Sequence, residues 1–168
     1  MMITLRLLHI FLGVFWAGAA FFTAMFLVPS LRAAGPAGGP VMKQLMEIRK
    51  FPIYAMAFGL VTVITGLWMY FHDNSISGGS FARSHAGMAY GLGAVAAILT
   101  LVVGATIMGP TSSKMAHLAA QIGAQGGPPT PDQQATIKQL QDRLGFGARL
   151  ASIFLVVTVI TMALGRYL

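Results

Sequence analysis

Four histidines, His9, His72, His85 and His117, are the side chains best suited to chemistry in this sequence. There is no cysteine, which removes disulfides, thiolate metal sites, iron–sulfur clusters and covalent c-type haem attachment. The four carboxylates are Glu47, Asp73, Asp132 and Asp142, and all stand outside the long apolar runs. A carboxylate-driven transporter, which needs an acid within the membrane, is therefore not expected. No paired carboxylates, Ser/His/Asp set, phosphate loop or H-E-x-x-H motif is present, so hydrolytic chemistry is not expected either.

His9 is the most informative of the four, because it lies about two turns inside an apolar run. An ionisable group at that depth must be satisfied without water and marks a functional candidate. At helical spacing it shares a face with Gly13, Trp16, Ala17 and Ala20, a flat face of small residues with one aromatic. His85 opens a later run and is followed by Gly87 and Gly91, a small-xxx-small pair that lets helices approach closely. Arg6 stands one turn outward of His9, and Arg83 two residues outward of His85. The pattern suits a b-type haem ligated by His9 and His85, its propionates paired with Arg6 and Arg83 and its plane admitted by Gly13, Trp16 and Gly87. His72, which closes the preceding run, is the substitute for His85. Packing offers a blander account: an imidazole bonded to a neighbouring backbone, glycines for close contact, arginines as ordinary anchors. His117 reads as solvated, and Trp16 and Trp68 as packing or interfacial residues.

Methionine gives a second chemistry. Of 11 methionines, Met69 precedes His72 by three residues and Met88 follows His85 by three, each pair on one helix face. Thioether and imidazole together suit copper(I), and Met1 and Met2 fall at the same rim. Methionine also fills gaps in apolar packing without any metal.

The elements that must hold these residues are membrane helices. The chain has 168 residues, 56% hydrophobic and 9% charged, where a soluble domain carries about 25% charged residues. Mean hydropathy is +0.74. Four runs are long enough for a hydrocarbon core of about 30 Å: about 3–28, 51–71, 84–109 and 144–167. They are apolar on both parities, which excludes the alternation of barrel strands. The first run is longer than the 7–15 residues of a signal-peptide core and reads as a retained helix. The expected fold is an all-α integral membrane four-helix bundle, one domain over 1–168, with short amphipathic cytoplasmic helices. Gly35 to Pro40 and Gly126 to Pro131 read as breaks, Val41 to Lys50 as a short amphipathic helix, and Asp132 to Arg143 as a separate polar one. Thr111 to Ala124 continues past the third run with helical polarity.

Net charge is +7, but no basic run is interleaved with aromatics, so nucleic acid is not an expected partner. The charge follows topology instead. Arg32, Lys43, Arg49, Lys50, Lys114, Lys138, Arg143 and Arg149 fall on one side, and Arg6, Arg83 and Arg166 on the other. The positive-inside bias puts both termini on the non-cytoplasmic side of a membrane, expected to be a bacterial inner membrane.

The stretch Leu8 to Pro29 (LHIFLGVFWAGAAFFTAMFLVP) carries Leu-His, six residues, Trp-x-Gly and a run to proline. It resembles the first helix of a group of small four-helix bacterial membrane proteins. That group includes the CopD-like copper-resistance domain, the HemJ-type protoporphyrinogen oxidase and the membrane part of a cytochrome-linked urate oxidase. The likeness continues through Thr65-Gly66-Leu67 and His85. It implies a helical bundle with a haem or copper site near one face, His9 matching the first-helix histidine and His85 the second ligand. The expected function is therefore a b-type haem protein in electron transfer, or an accessory subunit of a respiratory or oxidase assembly. The alternatives are copper handling and a cofactor-free structural subunit that packs in a complex or homo-oligomer.

Overall fold

A computed structural model describes the backbone of residues 1–168 and every side chain except those of Arg32 and Pro36. Among the described residues every regular element is helical, as a chain in hydrocarbon must be if each backbone N–H and C=O is to bond internally. Helix α1 (Met2–Phe22) continues through a π turn, Thr23–Leu27, into α2 (Val28–Ala34). A 3-10 turn leads to α3 (Gly38–Lys43), which ends in a second π turn, Gln44–Ile48. Then follow α4 (Phe51–Ile76), α5 (His85–Val103), α6 (Gly109–Ala124) and α7 (Pro131–Leu164). Four stretches are long and apolar enough to cross a membrane: Met2–Leu31, Phe51–Ile76, His85–Ala124 and Pro131–Tyr167.

Four boundaries differ from the sequence reading. The first and third spans do not stop at Pro29 and Pro110. Proline lacks an N–H and its ring collides with the carbonyl four residues earlier. Those carbonyls belong to Met25 and Thr106, the central residues of the π turns Thr23–Leu27 and Gly104–Met108. The wider turn, closed by Val28 N–H to the Thr23 carbonyl and by Gly109 N–H to the Gly104 carbonyl, accommodates the ring and lets the helix run on. The stretch Asp132 to Arg143 is not a separate helix, because α7 runs unbroken for 34 residues. Its start is fixed by Thr130 and Gln133, whose side chains and backbones cap each other reciprocally. The expected break at Gly35 to Pro40 is itself helical: Gly35–Ala37 is a 3-10 turn, and α3 has begun by Gly38.

The registers between helices are antiparallel and constant. Gly66 lies under His9 and Gly59 under Trp16. Tyr70 faces Gly91, and Leu101 faces Gly59. Thr161 and Met162 face Gly93, Tyr90 faces Gly165, and Ile107 faces Gly147. The helices thus run up, down, up, down, with the termini and loop 77–84 at one end. The segment 35–50 and the turn before α7 lie at the other. α1 lies along α4 and α5 along α7, α4 meets α5 over a shorter length, and α1 meets α7 only briefly.

The dry centre takes one residue or more from each spanning helix: Trp16, Val63, Ala97 and Leu155, with Phe58, Leu67 and Leu101 packed around them. The outer faces carry Phe11, Val14, Ile64, Leu92, Val95, Ile153 and Val159, all exposed. An apolar exterior of this extent belongs in lipid.

Candidate functional site

His9, Thr62 and Thr65 meet at the seam between α1 and α4, while a second polar contact within the spans, the Thr158 hydroxyl donating to the Gly93 carbonyl at 3.2 Å, joins α7 to α5. His9 is partly buried at the α1–α4 seam, and its Nδ1–H donates to the Thr62 carbonyl oxygen at 2.8 Å. Thr65 Oγ1 lies 3.4 Å from the same nitrogen. The Thr65 hydroxyl itself donates to the Val61 carbonyl at 2.7 Å and to the Thr62 carbonyl at 3.0 Å. A carbonyl can only accept, so the bond to Thr62 fixes the proton on Nδ1 and leaves Nε2 with its lone pair.

That second nitrogen has no hydrogen bond among the described residues. Among the described residues, the buried side-chain polar atoms without a partner are Thr23 Oγ1 and Thr62 Oγ1. Nε2 is therefore not sealed inside the packing.

Glycines make this seam possible. A Cβ on Gly66 would stand 2.7 Å from His9 Cε1, and one on Gly59 would stand 2.6 Å from Trp16 Cε2. His9 and Trp16 are seven residues apart on one helix, and Gly59 and Gly66 seven apart on the other, so each large ring sits over a glycine. The seven-residue spacing is the signature of helices crossing at about 20°. Gly13 takes the reverse part, meeting Thr62 Cγ2. Trp16 is 7% exposed and belongs to the dry centre, so its role is packing. Sequence reasoning singled out His9, Gly13 and Trp16, noted Thr65 and Gly66 only within the family resemblance, and missed Gly59 and Thr62. The matched spacing of the two pairs was the signal that could have found them.

The structure does not bring His85 to His9. Since His9 lies over Gly66 and Tyr70 faces Gly91, His9 is level with a position near Val95, ten residues from His85. At 1.5 Å per residue that is about 15 Å along the bundle axis. His85 is exposed at the first position of α5, behind the cap in which Ser84 Oγ accepts from Gly87 N–H at 3.0 Å. Gly87 is buried against the backbone of Phe81 and Ala82, so it serves the closure of loop 77–84 rather than a slot between helices. That loop turns on Gly78 and Gly79, both at positive φ, and seats Phe81 beside Tyr70 and Tyr90, with ring centroids at 5.5 and 6.3 Å. His72, in the last turns of α4, has its Nδ1 3.4 Å from Asp73 Oδ1. Arg6 and Arg83 are exposed at the same end.

Met69 is half-buried and Met88 exposed. Among the described residues no three His, Cys, Asp or Glu side chains cluster as metal ligands. For a haem, His9 fits as a ligand by tautomer and depth. Arg6, one turn outward, fits as a cation for an anionic group. The convergence of two imidazoles on one iron is not formed in this packing. His117 is exposed on α6, at the other end of the bundle.

No family model, no curated protein and no solved structure matches this chain, so the likeness of residues 8–29 to the CopD-like and HemJ-type group draws no support from these comparisons.

Proposed function

We propose that this chain is a b-type haem protein of a bacterial inner membrane, acting in electron transfer as an accessory subunit of a respiratory or oxidase assembly. One observation carries the reading: within a membrane span, the His9 imidazole has its Nδ1–H held by the Thr62 carbonyl, while Nε2 has no hydrogen bond among the described residues. A backbone acceptor on one ring nitrogen orients the ring and raises the basicity of the other, which is how ligating histidines are held. Gly66 beneath the ring leaves the room that lets it sit against α4. Arg6 supplies positive charge at the rim. The bound haem would contribute reversible one-electron chemistry. With His85 about 15 Å toward the rim, this chain would offer a haem one imidazole at that depth, and a second ligand would have to come from outside it. That supports an accessory role within a larger assembly.

Both termini are assigned to the non-cytoplasmic side. Lys43, Arg49, Lys50, Lys114, Lys138 and Arg143 occupy the end with segment 35–50, against Arg6, Arg83 and Arg166 at the other.

The test is an absorption spectrum and pyridine haemochrome assay on protein purified from haem-replete membranes. Soret and α bands of b-type haem are expected, lost in His9→Ala and kept in His85→Ala. A colourless wild-type protein rejects the proposal. Bands that survive His9→Ala reject His9 as the ligand.

A further inference from the structure

At the end of the bundle away from the termini, α3 and its π turn fold beside the foot of α1. Phe22 and Leu27 on one side, with Val41, Gln44, Leu45 and Arg49 on the other, line an open groove of about 420 Å³. Its wall is almost wholly apolar. Two things distinguish it from the general lipid face. The first is depth. Leu27 lies inside the span Met2–Leu31, whereas Arg49 stands two residues before the span Phe51–Ile76 begins. The groove therefore runs from headgroup level into hydrocarbon. The second is charge. Arg49 lines the groove yet is exposed, and among the described residues the ion pair formed is His72–Asp73, so its guanidinium has no acid partner. Lys43 and Lys50 are exposed on the same segment, against the lone acid Glu47.

We infer that this groove binds an anionic diacylphospholipid, one acyl chain lying along Phe22, Leu27, Val41 and Leu45 and the phosphate paired with Arg49. An arginine fork grips a phosphate through two parallel bonds. Basic residues next to a span are where anionic headgroups collect. The apolar wall adds what a free anion could not use: area for a chain. The inference is independent of any cofactor at His9, which lies at the opposite end.

The experiment is thermal denaturation of the detergent-solubilised protein titrated with phosphatidylglycerol, with phosphatidylcholine of the same chains, and with inorganic phosphate. Phosphatidylglycerol should raise the midpoint at concentrations about ten-fold below those needed for phosphatidylcholine, the worth of a charge-assisted bond. Inorganic phosphate should have no effect. Arg49→Gln should erase the preference. Val41→Trp, at an exposed position that tolerates bulk, should fill the groove and weaken both lipids. Equal response to the two lipids, an unchanged preference in Arg49→Gln, or stabilisation by inorganic phosphate alone overturns the inference. The midpoints without lipid show that both variants fold.

Discussion

Replacing Gly66 by alanine tests the seam on which the His9 geometry depends. The new Cβ would stand 2.7 Å from His9 Cε1 and 3.1 Å from Nδ1, whereas carbon atoms rest at about 3.5–4.0 Å. The ring, and α1 with it, must retreat by about 1 Å. That takes the 2.8 Å bond to the Thr62 carbonyl beyond about 3.5 Å, where no hydrogen bond remains. Overpacking costs about 1–3 kcal/mol, and an interhelical hydrogen bond in a membrane is worth about 0.6–2 kcal/mol. The sum, about 2–5 kcal/mol, is a change of about 30- to 5000-fold in the unfolding equilibrium. It can be read by unfolding in mixed micelles with added dodecyl sulfate, followed by tryptophan fluorescence, since Trp16 is 7% exposed in the fold. Gly18→Ala is the control, because a Cβ there meets nothing within 4 Å, and it should be neutral or stabilising by up to about 1 kcal/mol. In a His9→Ala background the obstacle is gone, and Gly66→Ala should cost less than about 0.5 kcal/mol. The reasoning fails if Gly66→Ala is as mild as Gly18→Ala, or if its cost persists undiminished without the imidazole.

Two further outcomes are expected. Thr62→Val keeps the shape and the backbone carbonyl but removes a hydroxyl that is buried without a partner; the same unfolding assay should show it neutral or more stable by about 1 kcal/mol, and a clear loss would mean that the hydroxyl is bonded. Thr130→Ala removes the side chain that accepts from Gln133 N–H at 3.3 Å and should cost about 1 kcal/mol, with Thr130→Asp restoring most of it; equal stability of all three would show that the cap contributes nothing.

The number, class and rough bounds of the spans were legible because hydropathy alone specifies them: lipid leaves no alternative to a satisfied helical backbone. The ends were not. Pro29 and Pro110 look like terminators by every local rule, and only the insertion of a π turn before each allows the helix to continue, a choice made by tertiary packing. The polar stretch from Asp132 to Arg143 likewise carries no signal that it joins the span behind it. At the site, depth and residue type singled out His9, which lies inside the first span. The packing account already named a neighbouring backbone as its acceptor, but which one was hidden, because a backbone carbonyl has no residue type to notice. The His85 pairing rested on one-dimensional position. It needed the interhelical offset, which the chain of contacts from Gly66 through Tyr70 to Gly91 supplies. Gly87 was noticed for its small size, but its reason is local: the backbone of Phe81 occupies the space a side chain would fill.

The two proline-associated π turns also change how the rest of each helix is aimed. A π turn holds one residue more than the ladder around it, and one residue is worth about 100° of rotation at 3.6 per turn. Every side chain after Leu27, and every one after Met108, is therefore rotated by about a quarter-circle from where an uninterrupted wheel drawn through the whole helix would put it. Stripes traced across Thr23–Leu27 or Gly104–Met108 mix two azimuths. A surface map of this molecule, or a cross-linking scan along α2 or α6, must restart its angular count at each of these points.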